Sequence, residues 1–419
     1  MIAWPRGGGK RRRRLPAGGD LRPGSIDFRS GFAYNMTRDR WLDRDESGRT
    51  KAMIVEIVPT PDPPGQAGLS SAPPRSRRLP GLVRGDTPVG LPALAATAPT
   101  LQQRKAIRVH RLPSRSALNR CTSSRVPFDY TLNPYRGCEF GCVYCYARYT
   151  HEWLGLDDAE AFETELFAKQ DTPEQLRREL SRARLTGARV ALGTVTDPYQ
   201  PVERRLALTR RLLLELNRAE GLQVSITTKS DLVTRDLDLF ENLSRRHRFT
   251  VNMTVVTTDA GLARGLEPRA PRPDLRLAAL ARLRARGINA GVFAMPILPG
   301  ITDGKAALES LCRAAAAAGA TYLCAGPLFV RSSTRPTLFD FLARDFPHLL
   351  PRYRRAFAHD AYLPAEYSRR LAARLAPLRA QYGLPAGETS IPPNHRTPTD
   401  EDAQLDDAAT LPGGRLALG

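Results

Sequence analysis

The sequence predicts an α/β fold built as a partial (β/α)6 barrel of TIM-like type, on three observations. Six short strand-like apolar runs follow one another, amphipathic helical stretches separate them, and the loops between are short. The strands are expected at residues 128–132, 189–195, 222–228, 249–257, 288–296 and 321–327. The helices are expected at residues 173–184, 202–218, 231–246, 273–286 and 303–318, several opening at Asp or Pro and closing near Gly. Repeated strand–helix–strand units cross over in one hand, so they lay down a parallel sheet covered by helices. Six units, against the eight of a closed barrel, leave that sheet open.

Around this core, at residues 127–330, the chain divides by composition. Residues 1–100 are rich in Pro, Gly and Arg without a sustained apolar period, and read as a disordered basic leader; residues 54–58 alternate weakly as a short strand. Residues 101–126 form an ordered lead-in to the first strand. Residues 331–385 read as further helices that pack on the barrel through Tyr353, Phe357, Tyr362 and Tyr367, and residues 386–419 as a flexible polar tail.

The formal net charge is +20 over 419 residues, which raises the expectation of a polyanionic partner. Its distribution narrows that inference: residues 1–126 hold 24 Lys and Arg against 9 Asp and Glu, so +15 of the +20 lies there and the rest of the chain is close to neutral. The run KRRRR at residues 10–14 reads as a nucleic-acid contact, as a solvated tail, or as sequence upstream of a true start at Met36. No apolar stretch follows that run as an export signal requires, and no window is long and apolar enough to span a membrane. Six cysteines are too few for a disulfide scaffold, and three of them cluster as thiolates, which points to a reducing, cytoplasmic setting.

Those three are Cys138, Cys142 and Cys145, a C-x3-C-x2-C array just after the first strand. Three thiolates at this spacing can each reach a different iron of a cubane [4Fe–4S] cluster, leaving the fourth iron open for a bound substrate. An electron-transfer ferredoxin closes that position with a fourth Cys, and none follows here until Cys312. Zinc is the competing reading, but it asks for a fourth ligand, and His151 is the nearest imidazole.

The array, with Tyr144 as the aromatic before its last Cys, resembles the signature of radical S-adenosylmethionine (SAM) enzymes. NPYRG at residues 133–137, GTVTDPYQPVE at 193–203, TKS at 228–230, Arg235-Asp236 and Glu267-Pro-Arg269 are similar to markers of the spore-photoproduct-lyase-like branch, and together span about half the chain. The resemblance implies the partial barrel, a [4Fe–4S] cluster and SAM. It also implies reductive cleavage of SAM to a 5′-deoxyadenosyl radical that takes a hydrogen from a substrate, fed by an external one-electron donor such as flavodoxin or ferredoxin. The branch's best-known activity is DNA repair at a thymine photoproduct, which the basic leader suits. The repair enzymes use a hydrogen-donor Cys near the end of strand two, and residues 190–200 contain none. A non-catalytic electron carrier or redox sensor is the alternative from another class.

Polar residues at the C-terminal ends of barrel strands face the active site. Strand two ends in Thr194-Val-Thr196-Asp197; the resemblance assigns Asp197, beside Thr196, to SAM's ammonium, against a turn-capping role. Strand three ends at Lys229-Ser230; the resemblance implies Lys229 by the SAM carboxylate, against a solvated Lys beside a helix-capping Ser230. Strand four presents Asn252 and Thr254 on one face, Thr254 matching a SAM-contacting hydroxyl. Strand five, apolar and bounded by glycines, suits either an adenine wall or a buried strand. Tyr144 is expected between cluster and adenine, Arg136 paired with an acid or shielding the cluster's charge, Glu267 and Arg269 as an ion pair, and His151 behind the ligands. Cys312 reads as core, and Cys324 on strand six as a hydrogen-atom donor or an inert buried thiol.

Overall fold

A computed structural model describes residues 42–44, 50–52, 83–84, 87–88, 90–104, 107–122, 126–182 and 185–387. It divides into two compact units, Met1–Pro73 and Pro74–Gly419. In the first unit, β1 (Leu42–Arg44) pairs antiparallel with β2 (Thr50–Ala52). The short strand expected at 54–58 lies outside the described residues.

The second unit opens with a small antiparallel pair, β3 (Val83–Arg84) and β4 (Thr87–Pro88). A helix at Leu91–Ala96 follows, then β5 (Thr100–Arg104), β6 (Ile107–Arg111), β7 (Leu118–Arg120), β8 (Tyr130–Leu132) and β9 (Tyr135–Arg136). Then come β10 (Glu165–Ala168), β11 (Arg189–Leu192), β12 (Gln223–Thr228), β13 (Arg248–Thr254), β14 (Ala290–Ile297) and β15 (Leu323–Pro327). The main sheet runs β15-β14-β13-β12-β11-β8-β7, with six parallel strands and β7 antiparallel at the edge. Strands β8 and β11–β15 are the six expected from the sequence. Their order follows the chain, and β15 does not close on β7, which is the open barrel of the sequence reading.

Alternation sets the two faces of each strand. Val224 and Ile226 of β12, Val251 and Met253 of β13, and Val292 and Ala294 of β14 join the layer under the helices, with Leu212, Phe240, Leu280 and Leu308. Ser225, Thr227, Asn252, Phe293 and Cys324 therefore line the opposite, inner face. On that face Asn252 donates to Thr227 Oγ1 (3.2 Å) and accepts from the Tyr322 hydroxyl.

The expected helices appear with local changes. The second is broken at Ala207, which adopts a left-handed conformation (φ 48°), into Glu203–Leu206 and Leu208–Leu216. The third opens with a 3-10 turn at Asp231–Asp236, capped by Ser230 as anticipated. C-terminal helices at Arg335–Asp345, Leu350–Ala356 and Ala365–Gln381 bury Tyr353, Phe357 and Tyr367; Tyr362 is half-buried.

Two features have no counterpart in the sequence reading. Regular structure begins upstream of residue 100, where Leu91 packs with Leu112, Leu154 and Phe167, so the apolar residues after 90 belong with the folded unit rather than the leader. A second sheet, β5-β6-β10-β9, draws two strands from around the cysteine loop. Leu166 of β10 is wholly buried in it, against Val109 and Tyr135. Leu166→Ala is expected to cost about 2–5 kcal/mol, from lost burial plus the cavity left behind; urea unfolding followed by circular dichroism measures it.

Candidate active site

The cysteine loop leaves β8 at the C-terminal rim of the barrel, and its backbone is held from several sides. Asn133 Oδ1 accepts from the backbone N–H groups of Thr194 (2.9 Å) and Val195 (3.2 Å), tying the loop's root to β11. Tyr135 and Arg136 form β9, which pairs with β10. The Gly137 carbonyl accepts from Thr196 Oγ1 (2.7 Å) and Gln200 Nε2 (3.2 Å). Glu139 N donates to Gln200 (2.9 Å), and the Glu139 carboxylate accepts from Val202 N (2.6 Å). Cys138 N donates to the Phe162 carbonyl (2.9 Å).

From the other side, Val143 N donates to the Leu266 carbonyl (3.0 Å), Arg269 N to the Phe140 carbonyl (3.1 Å), and the Arg269 guanidinium to the Glu139 carbonyl. Arg148 donates to the Cys142 carbonyl (3.0 Å) and pairs with buried Glu163. Thr334, ahead of the first C-terminal helix, donates to the Cys145 carbonyl (3.0 Å). Two turns admit only glycine. Gly137 (φ 79°) has the Phe162 carbonyl 2.8 Å from where a Cβ would lie, and Gly141 (φ 65°) has the Arg269 guanidinium at 2.7 Å.

The three thiols are thus brought into one shielded loop. Burial raises all three pKa values: Cys138 well above its ordinary value, with Asp197 adding to the effect; Cys142 to about 12, against the pull of Lys229; and Cys145 more modestly, against Arg148 and Lys229. Thiolates in such a place need positive charge brought to them. Three thiols in one loop, each able to reach a separate iron, make the donor set a cubane cluster uses, whereas zinc takes a fourth ligand.

Asp197 is buried at the end of β11 and joins two strands. Its Oδ1 accepts from Tyr199 N (2.9 Å) and Thr228 Oγ1 (2.7 Å), and its Oδ2 from Lys229 N (2.8 Å). Burial raises its pKa, partly offset by these donors. The carboxylate thus caps the turn before Tyr199, the turn-capping role the sequence allowed, and its charge is felt at Cys138. Thr196 supports the Gly137 carbonyl, which gives its hydroxyl a place in the loop's scaffold. Thr254 is buried at the end of β13, and its hydroxyl has no hydrogen bond among the described residues.

Lys229 presents a different picture. Its ammonium lies 5.8 Å from the centre of the Tyr144 ring, and no carboxylate of the described residues lies within ion-pair distance. Burial alone would lower its pKa, but Cys142, Glu267 and Asp197 outweigh that and raise it, so the group stays charged.

Glu267 does not pair with Arg269, as the sequence reading had it. Its partner is Arg276, from the helix Pro273–Ala285 (2.6 Å), and it also accepts from the Tyr144 hydroxyl. Arg269 is turned under Gly141 instead, where its guanidinium serves the Glu139 carbonyl. Arg136 lies over the Trp153 ring (5.8 Å). Cys324 is buried on β15 opposite Phe293, and Cys312 is packed in the helix layer. Sequence reasoning missed Gln200, Glu139, Arg148, Glu163, Arg276 and Thr334 as supports. Gln200 stands inside the motif at 193–203, but nothing in the sequence marks Arg276 as the arginine of its helix that is buried.

The family model described as the Radical SAM superfamily matches residues 132–311. An uncharacterized protein of Mycobacterium tuberculosis (strain H37Rv) is 39% identical over 316 residues, covering 75% of this chain and 90% of that protein. The chain belongs to the radical SAM superfamily. A second relative, an uncharacterized protein of Methanocaldococcus jannaschii, is 32% identical over 174 residues, 42% of this chain and 62% of its own. Among solved structures, spore photoproduct lyase complexed with dinucleoside spore photoproduct superposes with a TM-score of 0.50 at 15% identity, covering 69% of this chain and 86% of that one. That likeness is one of fold. Membership implies a four-iron cluster and SAM, and no helix of the described residues is long and apolar enough to cross a membrane.

Two outcomes follow from the geometry. Asp197→Asn would point amide hydrogens at a carboxylate pocket made of donors, and is expected to lower stability by about 1–3 kcal/mol, measured by chemical unfolding of the cluster-free protein. His151 is buried, donates to the Glu165 carbonyl (2.8 Å), and has its pKa held down from 6.5 to about 4 by burial. The unfolded chain therefore binds a proton that the folded chain refuses, so stability is full above pH 6.5 and falls as pH drops towards 4. Across that window the parent should lose up to about 3 kcal/mol more than His151→Gln, read from urea midpoints at each pH.

Proposed function

We propose that this protein is a radical SAM enzyme in which Cys138, Cys142 and Cys145 hold a [4Fe–4S] cluster and Lys229 receives the carboxylate of SAM. The observation that carries the reading is the Lys229 ammonium, charged, half-buried and without a carboxylate within ion-pair distance among the described residues, over the ring of Tyr144 and beside the cysteine loop. When bound, cluster and SAM together supply a 5′-deoxyadenosyl radical able to take a hydrogen atom from an organic substrate.

The chain's own residues then have distinct tasks. Lys229 offers a point charge to a carboxylate. Asp197 keeps β11 and β12 in register at the rim and gives negative charge near Cys138 for an ammonium. Thr254 offers a hydroxyl at the end of the next strand that has no hydrogen bond among the described residues. The apolar group formed by Phe140, Val143, Tyr144, Leu338, Phe341 and Phe357 shields the loop from water. A substrate would occupy the inner face of the open sheet, where Ser225, Thr227 and Asn252 present hydrogen-bonding groups and Cys324 a thiol. An external one-electron donor of the flavodoxin or ferredoxin kind would supply the electron.

Thymine-photoproduct repair is not the reading favoured here: the end of β11 carries Thr194, Thr196 and Asp197 and no Cys. The reading of a pure electron carrier leaves the Lys229 ammonium without a purpose. Protein reconstituted with iron and sulfide without oxygen should hold about four irons per chain and, with dithionite and SAM, form 5′-deoxyadenosine. Cys142→Ala should form none. Product from Cys142→Ala at the parent's level would remove the cluster from the mechanism.

A further inference from the structure

Behind Lys229 lies a buried chain of polar groups that the proposed reaction does not use directly. Glu267 and Arg276 form an ion pair with side chains 0% and 1% exposed. A fully buried pair of this kind is poor evidence for stability, because desolvation offsets most of the attraction. It is also anchored at both ends. Arg276 donates to the Thr254 carbonyl at the rim of β13 (3.1 Å) and to the Pro271 carbonyl (2.7 Å). Glu267 ends the helix Ala260–Leu266, whose last carbonyl receives Val143 N of the cysteine loop. The free side of the carboxylate takes the Tyr144 hydroxyl, and the face of Tyr144 carries the Lys229 ammonium.

We propose that Glu267, backed by Arg276, is a positioning residue that fixes the Tyr144 ring and through it aims the Lys229 ammonium at the carboxylate of SAM. This inference rests on the reading of Lys229 given above. Rotation of the Tyr144 ring is restrained at its hydroxyl, so the ring is a fixed surface for the ammonium rather than a mobile one. Electrostatics act the same way. Glu267 and Asp197 together balance Arg276 and Lys229, so loss of the Glu267 charge leaves the two cations to repel each other inside the protein and turns Lys229 away from the loop.

The test is a double-mutant cycle read by SAM binding. SAM is titrated into the reduced cluster of parent, Lys229→Met, Tyr144→Phe, Glu267→Gln and the two Lys229→Met double variants, following the electron paramagnetic resonance change, with iron measured in each. Tyr144→Phe and Glu267→Gln are each expected to weaken SAM binding about tenfold at parental iron content. Neither should weaken it further when Lys229 is already Met, because both act through Lys229. If Lys229→Met alone leaves SAM affinity unchanged, the underlying reading of Lys229 fails, and this inference with it. If Lys229→Met weakens binding while the other two do not, or if their effects simply add to it, the positioning role is overturned and the reading of Lys229 stands. Should Glu267→Gln lose iron, Tyr144→Phe, which keeps the ring and every buried charge, decides the matter alone.

Discussion

The structure depends on one requirement: a sixteen-residue loop, 133–148, must keep three thiols out of water without leaving its own backbone unpaired. Buried N–H and C=O groups cost free energy unless they find partners, and an irregular loop cannot supply them internally. Here the partners come from around the molecule. Thr196 and Gln200 serve it from the crossover after β11, Phe162 from beside the second sheet, Leu266 and Arg269 from the segment after β13, and Thr334 from the C-terminal layer. The small second sheet, which a barrel does not need, has a purpose in this light, since its β9 is the first part of the loop itself.

The same requirement explains the unusual number of buried charges near the loop. Arg148 with Glu163 and Arg276 with Glu267 each place a guanidinium where a loop or strand-end carbonyl needs a donor. An arginine can do this several times over because its donors fan out in a plane, and its carboxylate partner offsets part of the cost of burying the charge. Lysine has no such fan. Lys229, the half-buried end of this arrangement, is left with a ring face and a set of neighbours that keep it protonated.

Much of this was legible in the sequence. The strands read from apolar runs fell within a few residues of the observed ones because each is bounded by helix signals and its outer face is uniformly apolar, as in Val224 and Ile226 or Val251 and Met253. The cysteine spacing and the residues at the strand ends were also readable, since position on a barrel rim follows from topology alone. What could not be read was pairing across long separations. Glu267 and Arg269 stand two apart and carry opposite charges, yet the turn at Pro268 sends them to different sides of the loop, and the true partner, Arg276, lies a helical segment further on. The second sheet was hidden for a similar reason: β9 has two residues and sits inside a motif whose cysteines draw all the attention. The ordered stretch after residue 90 was hidden by a Pro- and Ala-rich composition that only tertiary contact with Phe167 turns into structure.

The layer over the loop has a consequence for how the protein comes into being. Leu338, Phe341, Tyr353 and Phe357 pack in one apolar group with Val143, Tyr144 and Ala147, and Thr334 reaches the Cys145 carbonyl across 189 positions of sequence. Translation proceeds from the N-terminus at roughly 5–20 residues per second, so the interval between the making of Cys145 and of Thr334 is roughly 10–40 s. Throughout that interval the loop exists without its cover. The thiols are therefore made well before the segment that covers them, and the loop can take its final, shielded form only once the C-terminal layer has been synthesised.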